Sequence, residues 1–418
     1  MQSAIQPIGI ALAFATIMLL SIKKVRLSRV MFVASVIMGF TSGLNAKAAW
    51  TVLWDSWVDK GTLELAAAVL SIGIFSTVMK ELGYLERTVD GLQNLLGNVK
   101  AAIMAVPALM GTLPVLGGAA LSAPLVDRLG DPLGLAPDTK AAANLVFRHG
   151  MFFCFPFSSG LILTSQITGF TIPQLIGRLW PMSLAMWVIG YFTFLRTSQE
   201  QREVAAGSTD TARSQLRFTG LATFLRYGSP LLLALLLGLL LKQPLWLALS
   251  AGSVLCLALG TLEGKRRPSL KVLYKGANLE QVVAMFWIMA FKGFVTISPV
   301  FPELVSKGMA KGVSPSLMAL VMPFLFGYGS ASQLSTVGVL LPILLPHALS
   351  GEAQLTMIAL VYSVSFVAYF ASPLHLCQVL TCQYFNVEIT RVYKRNWPIF
   401  AGLMGVVMIY YRSLANLI

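Results

Sequence analysis

The 418-residue chain is 56% hydrophobic and only 11% charged, with a mean hydropathy of +0.75, whereas an ordinary soluble domain carries about a quarter charged residues. Its net charge of +14 does not mark a nucleic-acid binder, because the Lys and Arg residues sit in short connections between apolar runs, as topology determinants do. Composition therefore excludes a soluble globular domain and describes an all-α polytopic membrane protein.

The first apolar run covers residues 4–22; without a basic leader or a small-residue cleavage site it reads as a retained span. Further runs follow at 28–44, 63–82, 175–195, 221–241, 245–262, 281–300 and 397–411. Their lengths fall near the roughly 20 residues that a helix needs to cross 30 Å of hydrocarbon. Segments 101–129 and 315–349 differ: each is longer than one span, shorter than two, and interrupted by small residues. They are expected to be re-entrant hairpins. Segments 141–169 and 352–386 carry Pro, Gly, Ser and His near their centres and are expected to be broken spans.

Basic loops fix the orientation. Lys23, Lys24, Arg26 and Arg29 place the first connection in the cytoplasm and the N-terminus outside. Lys80, Arg87 and Lys100, then Arg196, Arg202, Arg213 and Arg217, then Lys265, Arg266, Arg267, Lys271 and Lys275, and finally Arg391, Lys394 and Arg395 fall inside only if both hairpins return to the side they came from. The parsing yields two repeats of opposite orientation, 1–195 and 221–418, joined by a cytoplasmic linker at 196–220. Each repeat has five spanning helices, one of them broken, and one re-entrant hairpin. Texture agrees: Pro107 and Gly111 in "VPALMGTLPVLGG" match Pro323 and Gly327 in "VMPFLFGYGSASQ" at an offset of 216, and Ser158 and Ser159 match Ser372 and Pro373 at 214.

Irregular backbone persists at membrane depth only where protein or a polar cavity surrounds it. Helix N-termini exposed there suit an anion, and free carbonyls at the opposite ends can ligate Na+. The expected substrate-binding set is Gly117, Gly118, Arg148, Ser158, Ser159, Lys292, Ser330, Ser332, Gln333, Ser335, Ser372 and His375, with Na+ ligation near Gly117, Ser159, Ser332 and Ser372. Ser and Gly also serve as packing notches in membrane helices. Arg148 can instead snorkel to the surface, and His375 can be a hydrogen-bonded packing residue. No Asp or Glu lies deep in a span, so the basic residues at Arg148, His149, Lys292 and His375 point to an anionic substrate. An inside-negative potential opposes anion uptake by roughly 2.3 kcal/mol per charge per 100 mV, so uptake calls for Na+ or H+ as coupling ion. Cys154, Cys256, Cys377 and Cys382 form no CxxC pair and read as packing residues. The absence of HExxH or a deep Asp pair argues against an enzyme, and no cofactor is implied.

"VPALMGTLPVLGGAALSAPLVD" at 106–127 and "ASPLHLCQVLTCQYF" at 371–385 resemble an uncharacterised family of prokaryotic integral membrane proteins in the ion-transporter superfamily, which also holds citrate, dicarboxylate/sodium and gluconate-type carriers. The likeness implies a plasma- or inner-membrane homodimer, each protomer with a scaffold and a mobile transport portion, working by elevator-type alternating access. It places hairpin tips at 116–120 and 329–335 and unwound breaks at 156–159 and 371–373. The Ser-Asn-Thr signature of the sodium/dicarboxylate members is absent from both tips. The expected function is secondary active transport of a small anion, an organic carboxylate, by elevator-type alternating access coupled to Na+ or H+; an anion channel or an exporter on the same scaffold is the alternative.

Overall fold

The computed structural model describes residues 2–23, 25–112, 118–198, 210–266, 268–297, 313–345 and 350–417. Among them there is no strand; the protein is an all-α polytopic membrane protein. Among the described residues, seven helical stretches are long and apolar enough to cross a membrane: Lys60–Glu81, Ile172–Leu195, Gln215–Leu240, Leu245–Leu262, Leu270–Ile297, Glu352–Phe385 and Ile389–Leu417. Large apolar side chains such as Phe40, Leu240, Leu262 and Trp397 point outward from the bundle, as a lipid solvent allows.

The first half contains α1 (Gln2–Ile22), α2 (Leu27–Thr41), α3 (Ala46–Val58), α4 (Lys60–Glu81) and α5 (Tyr84–Leu96). It continues with α6 (Val99–Thr112), α7 (Gly118–Gly130), α8 (Pro137–His149), α9 (Ser159–Thr168) and α10 (Ile172–Gly190). The second half holds α11 (Asp210–Leu235), α12 (Leu245–Leu262), α13 (Leu270–Gly276) and α14 (Leu279–Ile297). After it come α15 (Pro315–Ser330), α16 (Gln333–Leu344), α17 (Glu352–Ala371), α18 (Leu376–Phe385) and α19 (Ile389–Leu417).

Several of these depart from sequence expectation. α3 and α5 occupy stretches read as connections: Asn45 and Asp59 cap successive helices by accepting from the amides of Ala48 and Thr62 at 2.8 and 3.1 Å. α11 starts at Asp210, inside the expected linker. Its early turns lie against amphipathic α5, where a β-carbon on Gly220 would stand 2.5 Å from the Leu95 amide nitrogen and one on Gly91 2.5 Å from that of Phe224. Only glycine permits backbones this close.

Packing sorts the helices into two groups. α1 to α5 associate with α11 to α14, through α1–α2, α2–α14, α4–α12 and α5–α11. α6 to α10 associate with α15 to α19, through α6–α8, α15–α17, α7–α18, α9–α16 and α10–α19. The second group is the more enclosed where its chain is irregular: 83% of the apolar window in Glu352–Phe385 is buried in protein, against 28% in Ile389–Leu417. Backbone broken at that depth is therefore surrounded by protein rather than lipid.

Both expected breaks are present. α8 ends at His149, a 3-10 turn covers Gly150–Phe153, and α9 begins at Ser159. α17 ends at Ala371, and α18 begins at Leu376. Side chains supply the missing bonds: Tyr362 Oη donates to the Phe152 carbonyl at 3.0 Å, Tyr393 Oη to that of Ala371 at 2.9 Å, and Ser183 Oγ to that of Gly150. α15 and α16 meet at a sharp turn in which Ala331 takes a left-handed conformation, φ +48°. At 16 and 12 residues neither reaches the roughly 30 Å a crossing requires at 1.5 Å per residue. α6 and α7 pack together as another short pair.

Candidate functional site

The two breaks and the α15–α16 turn meet at one cavity of about 450 Å³, within the range of small-molecule sites. Its wall takes Gly111 and Thr112 from the end of α6, and Arg148, Met151, Phe152, Phe155 and residues 157–160 from around the first break. Ala331, Ser332, Gln333 and Leu334 come from the turn, and Tyr369 and Cys377 from either side of the second break. Leu27, Asn278, Glu280 and Gln281 complete it from the other helix group.

Local chemistry explains the arrangement. Pro156, which has no N–H to donate, lies in the non-helical stretch between the 3-10 turn and α9, and α9 restarts with its first turn, Ser159 and Gly160, on the cavity. Ser332 does the same for α16: its Oγ accepts from the Ser335 amide at 3.2 Å and from Ser335 Oγ at 2.7 Å. Two helix N-termini thus face the same space, each carrying free N–H groups and the positive end of a helix dipole. Arg148, 5% exposed, adds a guanidinium from the last turn of α8. Gln333 Nε2 is buried and has no hydrogen-bond partner among the described residues. Every one of these groups donates, and the set matches an anionic acceptor. The nearest carboxylate in the wall, Glu280, accepts from the Ser28 amide at 2.9 Å and caps the start of α2.

Of the residues expected from sequence, Arg148, Ser158, Ser159, Ser332 and Gln333 line the cavity together. Ser330 and Ser335 stand behind it, bonded to the Ser332 carbonyl and hydroxyl. Ser372 Oγ accepts from the Leu374 amide at 3.3 Å and stays within the second break. His375 lies behind Tyr369, ring centroids 4.1 Å apart. Gly118 opens α7, and Gly117 lies outside the described residues, as do 113–116. Lys292 does not join the set: its Nζ donates to the Gln166 carbonyl at 3.4 Å, away from the cavity wall.

Sequence reasoning missed Gly111 and Thr112 as wall residues, and also Tyr369, Asn278, Glu280 and Gln281. The polar run "NLEQ" at 278–281, opening an apolar helix, was the available signal for the last three. Nothing in "FVAYFA" distinguishes Tyr369 from a packing aromatic.

No curated protein matches the chain. Residues 8–413 match the family described as "Protein of unknown function (DUF401)", and with nearly its whole length covered the chain belongs to that family.

Proposed function

We propose that the protein is a secondary active transporter of a small anion, an organic carboxylate, working by elevator-type alternating access with Na+ or H+ as coupling ion. The observation that carries this reading is the convergence of two helix N-termini, Arg148 and the unpartnered Gln333 amide on one cavity. Such a site binds negative charge without a permanent buried counter-charge.

The exchange pattern of the packing supports an inverted repeat. α2 lies on α14 as α4 lies on α12, and α7 lies on α18 as α9 lies on α16. Gly111 presses against the Arg148 carbonyl, and Gly327, its counterpart, against that of Ser365. Under the charge-derived topology, α6–α7 dips in from the cytoplasm and α15–α16 from outside. The cavity then opens beside Leu27 and 278–281, at the cytoplasmic ends of α2 and α14, as an inward-facing carrier would. The group of α1 to α5 with α11 to α14 fits a scaffold and the other group a transport portion, and the resemblance to dimeric carriers extends this to a homodimer.

A thermal-shift series on purified protein tests the reading, using inorganic oxyanions, mono-, di- and tricarboxylates and sugar acids, in Na+ and then in K+. Stabilisation by one anion class that disappears in Arg148→Gln is expected. Equal responses of the two proteins to every anion would overturn it.

A further inference from the structure

We infer that His149, His375 and Cys377 form a site for a borderline-soft divalent transition-metal ion of the Zn2+ type, set into the cavity wall with Cys377 on the cavity side. This site neither requires the anion-carrier reading nor follows from it, although Cys377 lines the same cavity as Arg148. The three residues come from the end of α8 and from either edge of the turn that begins α18, and their ligand atoms all lie within 4.8 Å of one another. The two imidazoles meet edge to face with centroids 4.9 Å apart.

The hydrogen bonding prepares each ligand. His149 Nδ1 lies 2.7 Å from the Leu145 carbonyl. A carbonyl only accepts, so the proton sits on Nδ1, and the Nε2 lone pair, 3.5 Å from Tyr369 Oη, would exchange that long contact for an ion. This is the backbone-carbonyl support that metal-bound histidines commonly have. His375 is 1% exposed, and neither of its ring nitrogens has a hydrogen-bond partner among the described residues. An imidazole buried in this way has lost its water without gaining a partner, and a metal on one nitrogen supplies one. Cys377 lies within hydrogen-bonding reach of the Arg148 guanidinium, and a metal bound to its sulfur takes the place of the thiol proton.

Donor chemistry selects the ion. Two imidazoles and a thiolate without a carboxylate suit Zn2+ and its neighbours, not Mg2+ or Ca2+. Tetrahedral coordination at about 2.0–2.1 Å to nitrogen and 2.3 Å to sulfur brings the donors to roughly 3.3–3.6 Å of one another, so side-chain rotations of about 1 Å close the set. Cys377 and Tyr369 face the cavity, which gives the ion its route and leaves the fourth position to an oxygen from that side. The charge of Arg148 opposes the ion, and the Cys377 thiolate offsets it.

The test is a titration of chelator-stripped, full-length protein with Co2+, a spectroscopic stand-in for Zn2+. One equivalent is expected to give a sulfur-to-cobalt charge-transfer band that Zn2+ bleaches. Cys377→Ser should lose the band, and His375→Ala should weaken binding by at least about tenfold. In unsubstituted protein, Zn2+ should slow alkylation of Cys377, read by peptide mass, but not that of Cys154; this measurement holds if a variant fails to fold. Absence of the band, its survival in Cys377→Ser, or equal alkylation of Cys377 with and without Zn2+ would overturn the site. None of these results bears on the anion thermal shifts, so the two readings fail separately.

Discussion

The carbonyl oxygen of Arg148 lies 2.2 Å from the point at which a β-carbon on Gly111 would stand. This contact sets α6 against α8 at the height of the cavity and so fixes where the guanidinium is presented. Gly111→Val must push the helices apart, at about 1–3 kcal/mol for an overpacked contact. Thermal unfolding in detergent is expected to show that loss, together with weaker stabilisation by the bound anion. A variant with wild-type melting would contradict the close approach.

Arg148 and Lys292 are both basic residues within apolar helices, but only Arg148 lines the cavity. Neutralising Arg148 to Gln removes a charge-assisted hydrogen bond worth about 1.5–3 kcal/mol. Anion affinity should fall at least about tenfold. Lys292→Gln should change it by less than about threefold, because Lys292 serves the Gln166 carbonyl. Ligand-dependent melting shifts of the two variants measure the contrast.

Ala331 holds a left-handed backbone conformation at the turn between α15 and α16. An L-residue there costs roughly 1–2 kcal/mol, partly offset in any exchange by the greater unfolded-chain freedom of glycine. Ala331→Gly should therefore raise stability by about 0.5–1 kcal/mol, measured as a higher melting temperature.

At the α5–α11 crossing the neighbours of Gly91 and Gly220 are backbone atoms at 2.5 Å, which cannot rotate away. Gly220→Leu should cost about 3 kcal/mol or prevent folding. Yield and monodispersity on size-exclusion chromatography would report it, with the exposed Gly177, which has open space around its missing β-carbon, as the tolerant control.

Glu263, just past the end of α12, has its carboxyl pKa held below the ordinary value: burial raises it, but ion pairs with Lys265 and Arg226 outweigh that. A carboxyl lowered on folding contributes stability that is full above its unfolded pKa of about 4.3 and is lost as pH falls through the lower folded value. Glu263→Gln should melt lower than wild type at pH 7, by no more than about 1 kcal/mol given the exposure of Arg226. The difference should vanish as the pH is taken down through that range, as paired melting curves would show.

Legibility in the sequence followed from what the bilayer demands. Long apolar runs and the Pro, Gly and Ser interruptions at 156–159, 329–335 and 371–373 were visible, since hydrocarbon tolerates neither polar chain nor free backbone without cause. Arg148 stood out for the same reason. α3 and α5 were hidden because their helicity depends on caps and on packing against α14 and α11, not on continuous apolarity. Lys292 lies off the cavity wall, since depth along a helix says nothing about which way a side chain faces. The pairing of His149 with His375 depended on the contact of α8 with α18, which no local pattern encodes.

Solute counterflow in proteoliposomes tests the central claim most directly. Vesicles preloaded with an unlabelled carboxylate that stabilises the protein are diluted into a trace of the labelled form. The account predicts transient accumulation of label above its equilibrium level, abolished by Arg148→Gln. Label that only equilibrates, without saturation or overshoot, would show an open pathway and contradict a carrier.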